Sequence, residues 1–346
     1  MRTMRPGGTT LEAVARAAGV SRATVSRVVN GSSKVGPDIR RAVEAAVSEL
    51  GYVPNPAARS LVTRRSDSIG VVITEPSGRL FTDPFFPRLL RGISATLSAE
   101  SRQLVLLMPS SAGDTDRTAD YLAAGHLDGA ILVSLHELDP LPGRLHRAGV
   151  PMVVSPRPGR DLPVSYVDVD NRGGARSAVL HLVEVGCRVI ATIAGPLDMA
   201  PGIDRLAGYR EALVESGLGT ERKLEVAADF TQEGGAAAMT RLLAARPDID
   251  GVFAASDLMA AGALAVLTAA GRRVPEDVAV VGYDDSPVAT TTNPPLTSVR
   301  QPIEEMGTEM ARLLLNAIDS ASHAPRRVIL ATEIVLRASS DRRRVP

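Results

Sequence analysis

Residues 9–32 read TTLEAVARAAGVSRATVSRVVNGS, and the spacing of their apolar side chains decides how the chain begins. Leu11, Val14, Ala15 and Ala18 recur at helical spacing behind Thr9 or Thr10, either of which can cap the first turn. With Thr9 as the cap, Glu12 stands three residues on and closes a capping box. Gly19 ends the helix because it enters the left-handed conformation of a tight exit without a Cβ penalty. Ser21 caps the next helix, Val20 and Val25 flank that cap as a staple, and Val25, Val28 and Val29 form the inward stripe. Arg22, Ala23, Ser26 and Arg27 fall off the stripe near the helix start, and Asn30-Gly31 stops it. A third helix runs from Pro37, with Ile39, Val43, Ala46, Val47 and Leu50 inward and Gly51 as its stop. Two short helices joined by a glycine-containing turn make a helix-turn-helix, whose second helix fits a DNA major groove.

Charge supports that reading over a generic three-helix bundle. The whole chain of 346 residues is formally neutral. Residues 1–65, however, hold eleven Lys/Arg against four Asp/Glu, a net +7, and the rest carries −7. A small basic module on a larger acidic body calls for a polyanionic partner for the module alone. No apolar run approaches the ~20 residues of a membrane span. The arginines of MRTMRPGGTT have no apolar stretch behind them, so no secretory signal is read. A single cysteine, Cys187, leaves no disulfide framework or cysteine-based zinc site, which fits a reducing cytoplasm.

From Ser66 onward, apolar runs alternate with helical patterns: IGVVIT (69–74), QLVLLM (103–108), GAILVS (129–134), PMVVS (151–155), RVIATIA (188–194), GVFAAS (251–256) and VAVVGYDD (278–285). Helix-like stretches at 86–100, 172–185, 205–216, 232–245 and 258–270 lie between them. Short buried strands separated by helices predict parallel α/β sheets, with too many strands for one small sheet. Ligands of such sheets sit at the carboxyl ends of the strands. The loops there carry the polar and aromatic residues: DPFF, SPRPGR, GPLDMAPGIDRLAG, ADFTQ, ASDLMA and GYDDS.

The run LEAVARAAGVSRATVSRVVNGSSKVGPDIRRAVEAAVSELGYVPNPAARSL resembles the headpiece of the LacI/GalR family of bacterial lactose- and galactose-repressor-like regulators. Further landmarks (DPFF, AGPLD, RLAGYREAL, RVPEDVAVVGYDD, PPLTSVRQP) extend the resemblance over nearly the whole chain. It implies an all-α helix-turn-helix headpiece (1–53), a hinge helix and linker (54–66), and a core (67–346). The core is periplasmic-binding-protein-like, with two parallel-sheet subdomains, one at about 67–168 and 297–330, the other at about 169–296 and 331–346. The chain would thus cross between them near 168, 296 and 331.

By the same resemblance, Arg22, Ala23 and Arg27 face base edges, with Ser21 and Thr24 nearer the phosphates and Asn30, Asn55 and Ala58 also on the DNA. Leu61, in the hinge PNPAARSL, would wedge between central base steps and bend the duplex. A helix that short does not persist alone in water, so its folding would be coupled to dimerisation and DNA. Phe86, Arg205, Phe230, Ser256 and Asp284 would line the effector cleft. That set suits a sugar: Arg205 donates in a fork to adjacent hydroxyls, Asp284 accepts from them, and Phe230 packs on an apolar ring face. Pro156 stands where relatives often have an aspartate, Met199 and Pro201 disfavour a nucleobase, and Ala13 departs from an acidic residue in the first helix. Cys187 replaces a usual histidine and carries no assigned role.

The expected protein is therefore a cytoplasmic regulator, a homodimer on a palindromic double-stranded DNA operator, controlled by a small molecule. Operator position relative to the promoter decides between repression and activation. A ligand-binding protein of the same core without DNA activity would not need the basic headpiece. An enzyme would need a convergent acid/base set, a phosphate loop or a nucleophile elbow, and none is found. His136-Glu137-Leu138 lacks a second histidine four residues on, so no metal or cofactor is assigned. Arg27→Ala should cost about 1–3 kcal/mol on the cognate operator and relax preference at one base pair per half-site. Equal losses on cognate and random DNA in a fluorescence titration would reduce Arg27 to a phosphate contact.

Overall fold

The computed structural model describes residues 10–29, 34–52, 65–159, 162–320 and 324–342. The chain divides into two compact units, Met1–Ser66 and Asp67–Pro346.

In the first unit the helices are Leu11–Ala17, Arg22–Val29 and Pro37–Glu49. Thr10, not Thr9, caps the first, its hydroxyl accepting from the Ala13 amide, so Glu12 falls one position short of a capping box. Gly19 takes a φ of 65°, the left-handed exit that reverses the chain into the second helix. Ser21 Oγ accepts from the Thr24 amide at 3.1 Å. Val14, Ala15, Val25, Val28, Val43 and Ala46 form the buried centre. Ile39, expected inward, is 42 % exposed: it lies in the first turn of its helix, short of where the three helices converge on Val43 and Ala46.

The second unit contains two six-stranded sheets. One has the order β11-β5-β4-β3-β1-β2, built from β1 (Ser68–Ile73), β2 (Gln103–Leu107), β3 (Gly129–Val133), β4 (Met152–Ser155), β5 (Ser165–Val169) and β11 (Arg327–Leu330). The other runs β12-β10-β9-β8-β6-β7, from β6 (Ile190–Ala194), β7 (Glu225–Ala227), β8 (Gly251–Ala254), β9 (Ala279–Asp284), β10 (Thr297–Arg300) and β12 (Glu333–Val335). Every pairing is parallel except β10 with β12. In both, the order reverses beside the first strand of the sheet, β1 between β2 and β3 and β6 between β7 and β8, which opens a crevice at the strand ends.

The chain passes between the sheets three times: at Asp170, at Gln301-Pro302, and at Ala331-Thr332. The second passage was expected near 296. It comes later because Thr297–Arg300 pairs in parallel with β9 and so still belongs to the second sheet. Only then does helix Ile303–Asp319 pack on the first sheet, burying Ile303, Met306, Met310 and Leu314 with Ile93, Leu97 and Ile131. It crosses helix Phe85–Ala99 at Gly92 and Gly307, where a Cβ on either would strike the Glu304 or the Leu89 carbonyl. Helices Gln232–Ala245 and Asp257–Ala269 cross in the same way. Such crossings hold the helices close to one another, and the loops at the strand ends hang from that frame.

Candidate functional site: an inter-subdomain cleft and a basic helix face

The carboxyl ends of β1, β3, β4, β6, β8 and β9 converge on a cleft with about 560 Å³ of space, part of it open to solvent. At its floor Arg205, on helix Ala200–Glu215, is only 4 % exposed. Its Nε donates to Asn171 Oδ1 at 2.9 Å, its Nη1 donates to the Ala255 carbonyl at 2.7 Å, and its guanidinium lies 3.7 Å from the Tyr283 ring centroid. Asp284 Oδ1 is 3.8 Å from Nη1 and accepts from Gln301 Nε2 at 2.5 Å. Asn171 Nδ2 in turn donates to Asp168 Oδ1 at 2.9 Å. Burial pushes Asp284 and Asp168 above the usual carboxylate range, and for both the charge of Arg205 works against it.

The walls are apolar and aromatic. Phe230 lies with its ring centroid 5.9 Å from the Arg205 guanidinium carbon, and Phe85, Pro156, Met199, Pro201 and Met306 complete them. Phe230 holds a φ of 64°, Asp284 110° and Ser134 63°, all unfavourable for these residue types. Such strain persists only where the surroundings over-determine it, and here three of the six non-glycine instances among the described residues line one cleft. Gly195 has no room for a Cβ because the Phe230 ring fills it.

Straps cross the cleft. His136 Nδ1 lies 2.7 Å from Asp198 Oδ2, and the Glu137 amide donates to the Asp198 carbonyl at 2.7 Å. His136 Nε2 is 3.5 Å from Glu75 Oε1. Arg157 pairs with Asp204 at 2.6 Å, and Arg88 Nη1 donates to the Asp284 carbonyl at 3.3 Å.

On the first unit, Arg22, Ala23 and Arg27 are exposed on one side of helix Arg22–Val29, with Ser21 beside them, while Val25 and Val28 face inward. Arg22 Nε sits 3.1 Å from Glu12 Oε1. That is an exposed pair, easily exchanged for a stronger anion.

Comparison with known proteins matches both parts. Residues 10–55 match the model of bacterial regulatory proteins of the lacI family, and residues 179–340 that of the periplasmic binding protein-like domain. The HTH-type transcriptional regulator CelR of Thermobifida fusca is 53 % identical over 332 residues, 95 % of this chain and 98 % of that protein. The chain belongs to the LacI family. The ribose operon repressor of Halalkalibacterium halodurans is 35 % identical over 96 % of this chain and 97 % of its own length. Among solved structures, a CelR–cellobiose complex aligns with a TM-score of 0.78 at 51 % identity, covering 96 % of this chain and 99 % of that one. The lac repressor dimer bound to operator and an anti-inducer aligns at 0.83 with 29 % identity over the same shares. The family consists of DNA-binding transcriptional regulators, not enzymes.

In this LacI-family regulator the cleft gathers Arg205, Phe230, Ser256 and Asp284 from four separate segments. Ser256 also caps its helix, accepting from the Met259 amide at 3.2 Å. Phe86 does not belong there. It is 1 % exposed in the core of the first subdomain, and Phe85, edge-on to it at 5.4 Å, faces the cleft instead. Asn30, Asn55, Ala58 and Leu61 lie outside the described residues. Cys187 is buried, its Sγ donating to the Asp250 carbonyl at 3.2 Å, and burial pushes the thiol up to about 12. Sequence reasoning missed Arg79, Asp168, Asn171 and Gln301; only Gln301 sat in a quoted motif, PPLTSVRQP. No helix among the described residues is long and apolar enough to cross a membrane, and none of their His, Cys, Asp and Glu side chains cluster as a metal site.

The His136 strap gives a pH dependence. Hydrogen bonds to Glu75 and Asp198, against the opposing push of burial, raise its imidazole from 6.5 to about 9. A folded-state value above the unfolded one contributes stability fully below about 6.5 and loses it as pH rises through about 9. Wild type should therefore melt above His136→Gln at pH 7, with the gap closing by pH 10. A gap that is constant across that range would show that the imidazolium contributes nothing.

Proposed function

We propose that this regulator is a cytoplasmic, homodimeric repressor of a palindromic operator, released or recruited by a neutral sugar bound between its core subdomains, a β-linked glucose disaccharide of the cellobiose type. The observation that carries this is the buried Arg205–Asp284–Asn171 group set against the Phe230 ring. Forked donors and carboxylate acceptors beside an aromatic face are what a polyol with apolar ring faces needs. The likeness to a CelR–cellobiose complex favours that sugar class. Glu75 already pairs with Arg79 at 2.6 Å, and Arg205 is engaged by Asn171 and the Ala255 carbonyl, which disfavours a phosphorylated or acidic ligand.

On the DNA side, Arg27 and Arg22 read guanines through their planar forks, Arg22 leaving Glu12 as it docks, and Ala23 offers a methyl contact. Ser21 and Thr24 meet phosphates, Asn30, Asn55 and Ala58 add contacts, and Leu61 wedges the operator centre. Sugar binding favours one disposition of the subdomains and shifts operator affinity by its differential binding. Calorimetry with cellobiose, glucose, ribose and adenosine, followed by operator gel shifts with and without the bound sugar, tests the proposal. Cellobiose should bind best and change operator affinity at least tenfold. Preference for adenosine, or an operator affinity indifferent to every ligand, would overturn it.

A further inference from the structure

Helix Ser77–Thr82, between β1 and the helix that begins at Phe85, brings a second guanidinium into the cleft. Leu80 anchors this short helix, 2 % exposed, and Asp83 closes it, its amide donating to the Arg79 carbonyl at 2.9 Å while its carboxylate accepts from the Phe85 amide at 2.9 Å. Arg79 points into the cleft with 14 % of its side chain exposed. Its guanidinium carbon lies 5.1 Å from the Phe230 centroid, so Arg79 from one subdomain and Arg205 from the other approach the same ring.

The two arginines differ in how their donors are used. Arg205 spends Nε and Nη1 on directed hydrogen bonds to Asn171 and the Ala255 carbonyl. Arg79 Nη1 pairs with Glu75 Oε1 at 2.6 Å, while the carboxylate nearest its Nε, Asp83 Oδ2, is 3.8 Å away. Its Nε is buried without a hydrogen-bond partner among the described residues. Glu75 is itself fixed, accepting from Ser134 Oγ at 2.6 Å. Against the push of burial, the His136 hydrogen bond and the Arg79 charge hold it down at about 2. Arg79 is thus neutralised and positioned, yet its buried Nε–H lacks an acceptor among the described residues. Buried donors left unpaired are costly, and an arriving oxygen relieves that cost.

We infer that Arg79 is a second ligand-reading residue of the cleft, donating to sugar hydroxyl oxygens that Arg205 does not reach and so setting which sugar is accepted. This rests on the reading of the cleft as a sugar site. A site built to donate to a particular hydroxyl rejects the analogue that lacks it, because the donor is then left unpaired.

The test is a cycle between Arg79→Met and the monodeoxy analogues of cellobiose, read by calorimetry on the full chain. Arg79→Met should bind cellobiose at least tenfold more weakly than wild type. At least one monodeoxy analogue should lose about tenfold against cellobiose on wild type and nothing on the variant. If Arg79→Met does not fold, Arg79→Lys keeps the charge opposite Glu75 but not the fork, and should show the same coupling. Equal cellobiose affinity in the variant, or the same losses across the analogue series with and without Arg79, would overturn the inference while leaving the sugar site intact. Failure of wild type to bind cellobiose would remove the sugar reading first, and this inference with it.

Discussion

A guanidinium taken out of water must recover its lost hydration from fixed partners, and the core of this protein is arranged around one such group. Arg205 is among the most buried charges of the described chain. Its compensation comes from the Asn171 amide oxygen, the Ala255 carbonyl, the Tyr283 ring and the Asp284 carboxylate. Breaking a buried charge group by removing one member typically costs about 3–5 kcal/mol, because the remaining charge stays unpaired. The partners are also placed strategically. Asp168 and Asn171 flank the first passage between the sheets, and Gln301, bonded to Asp284, lies on the second. One charge network therefore links the floor of the cleft to two of the connections about which the subdomains turn.

That arrangement explains how a small ligand can have a large effect. A hydroxylated ring entering the cleft competes for the same donors and acceptors that hold the floor together, and it meets the walls from both subdomains at once. The straps at the rim, His136 with Asp198 and Arg157 with Asp204, join the subdomains there, and the Arg157 amide also donates to Asp168 at 3.0 Å. A population shift between dispositions of the subdomains then follows from differential contacts. The headpiece follows different physics: its affinity is set by a basic face and counterion release, its selectivity by a few exposed side chains.

Much of this was legible in the sequence, and what was not has physical reasons. The strands with long apolar runs, such as Ile190–Ala194 and Gly251–Ala254, were readable within a residue or two. Strands Ser165–Val169, Glu225–Ala227, Thr297–Arg300, Arg327–Leu330 and Glu333–Val335 were not, being short and partly polar. The misplaced second passage follows from that, since an unread β10 leaves Gln301 looking like the interior of the first subdomain. Phe85 and Phe86 are adjacent, and a one-residue step on a helix turns a side chain by about 100°, so the motif alone could not say which faces the ligand. Arg79 pairs locally with Glu75 and Asp83, and Asn171 with Asp168, but only the fold brings these residues to the same cleft as Arg205 and Phe230, a relation no local pattern carries. The glycine signals at 19 and 51 were readable because a positive φ is a local demand.

The central claim is that the planar fork and stacked face of Arg205, and not merely its charge, build the ligand site. Lysine keeps the charge but neither bonds in a fork nor stacks. Calorimetric titration of cellobiose into Arg205→Lys, with a thermal melt of the same sample, addresses this directly. The account predicts a lower melting temperature together with at least a tenfold loss of sugar affinity. Wild-type melting and undiminished affinity in the lysine variant would contradict it.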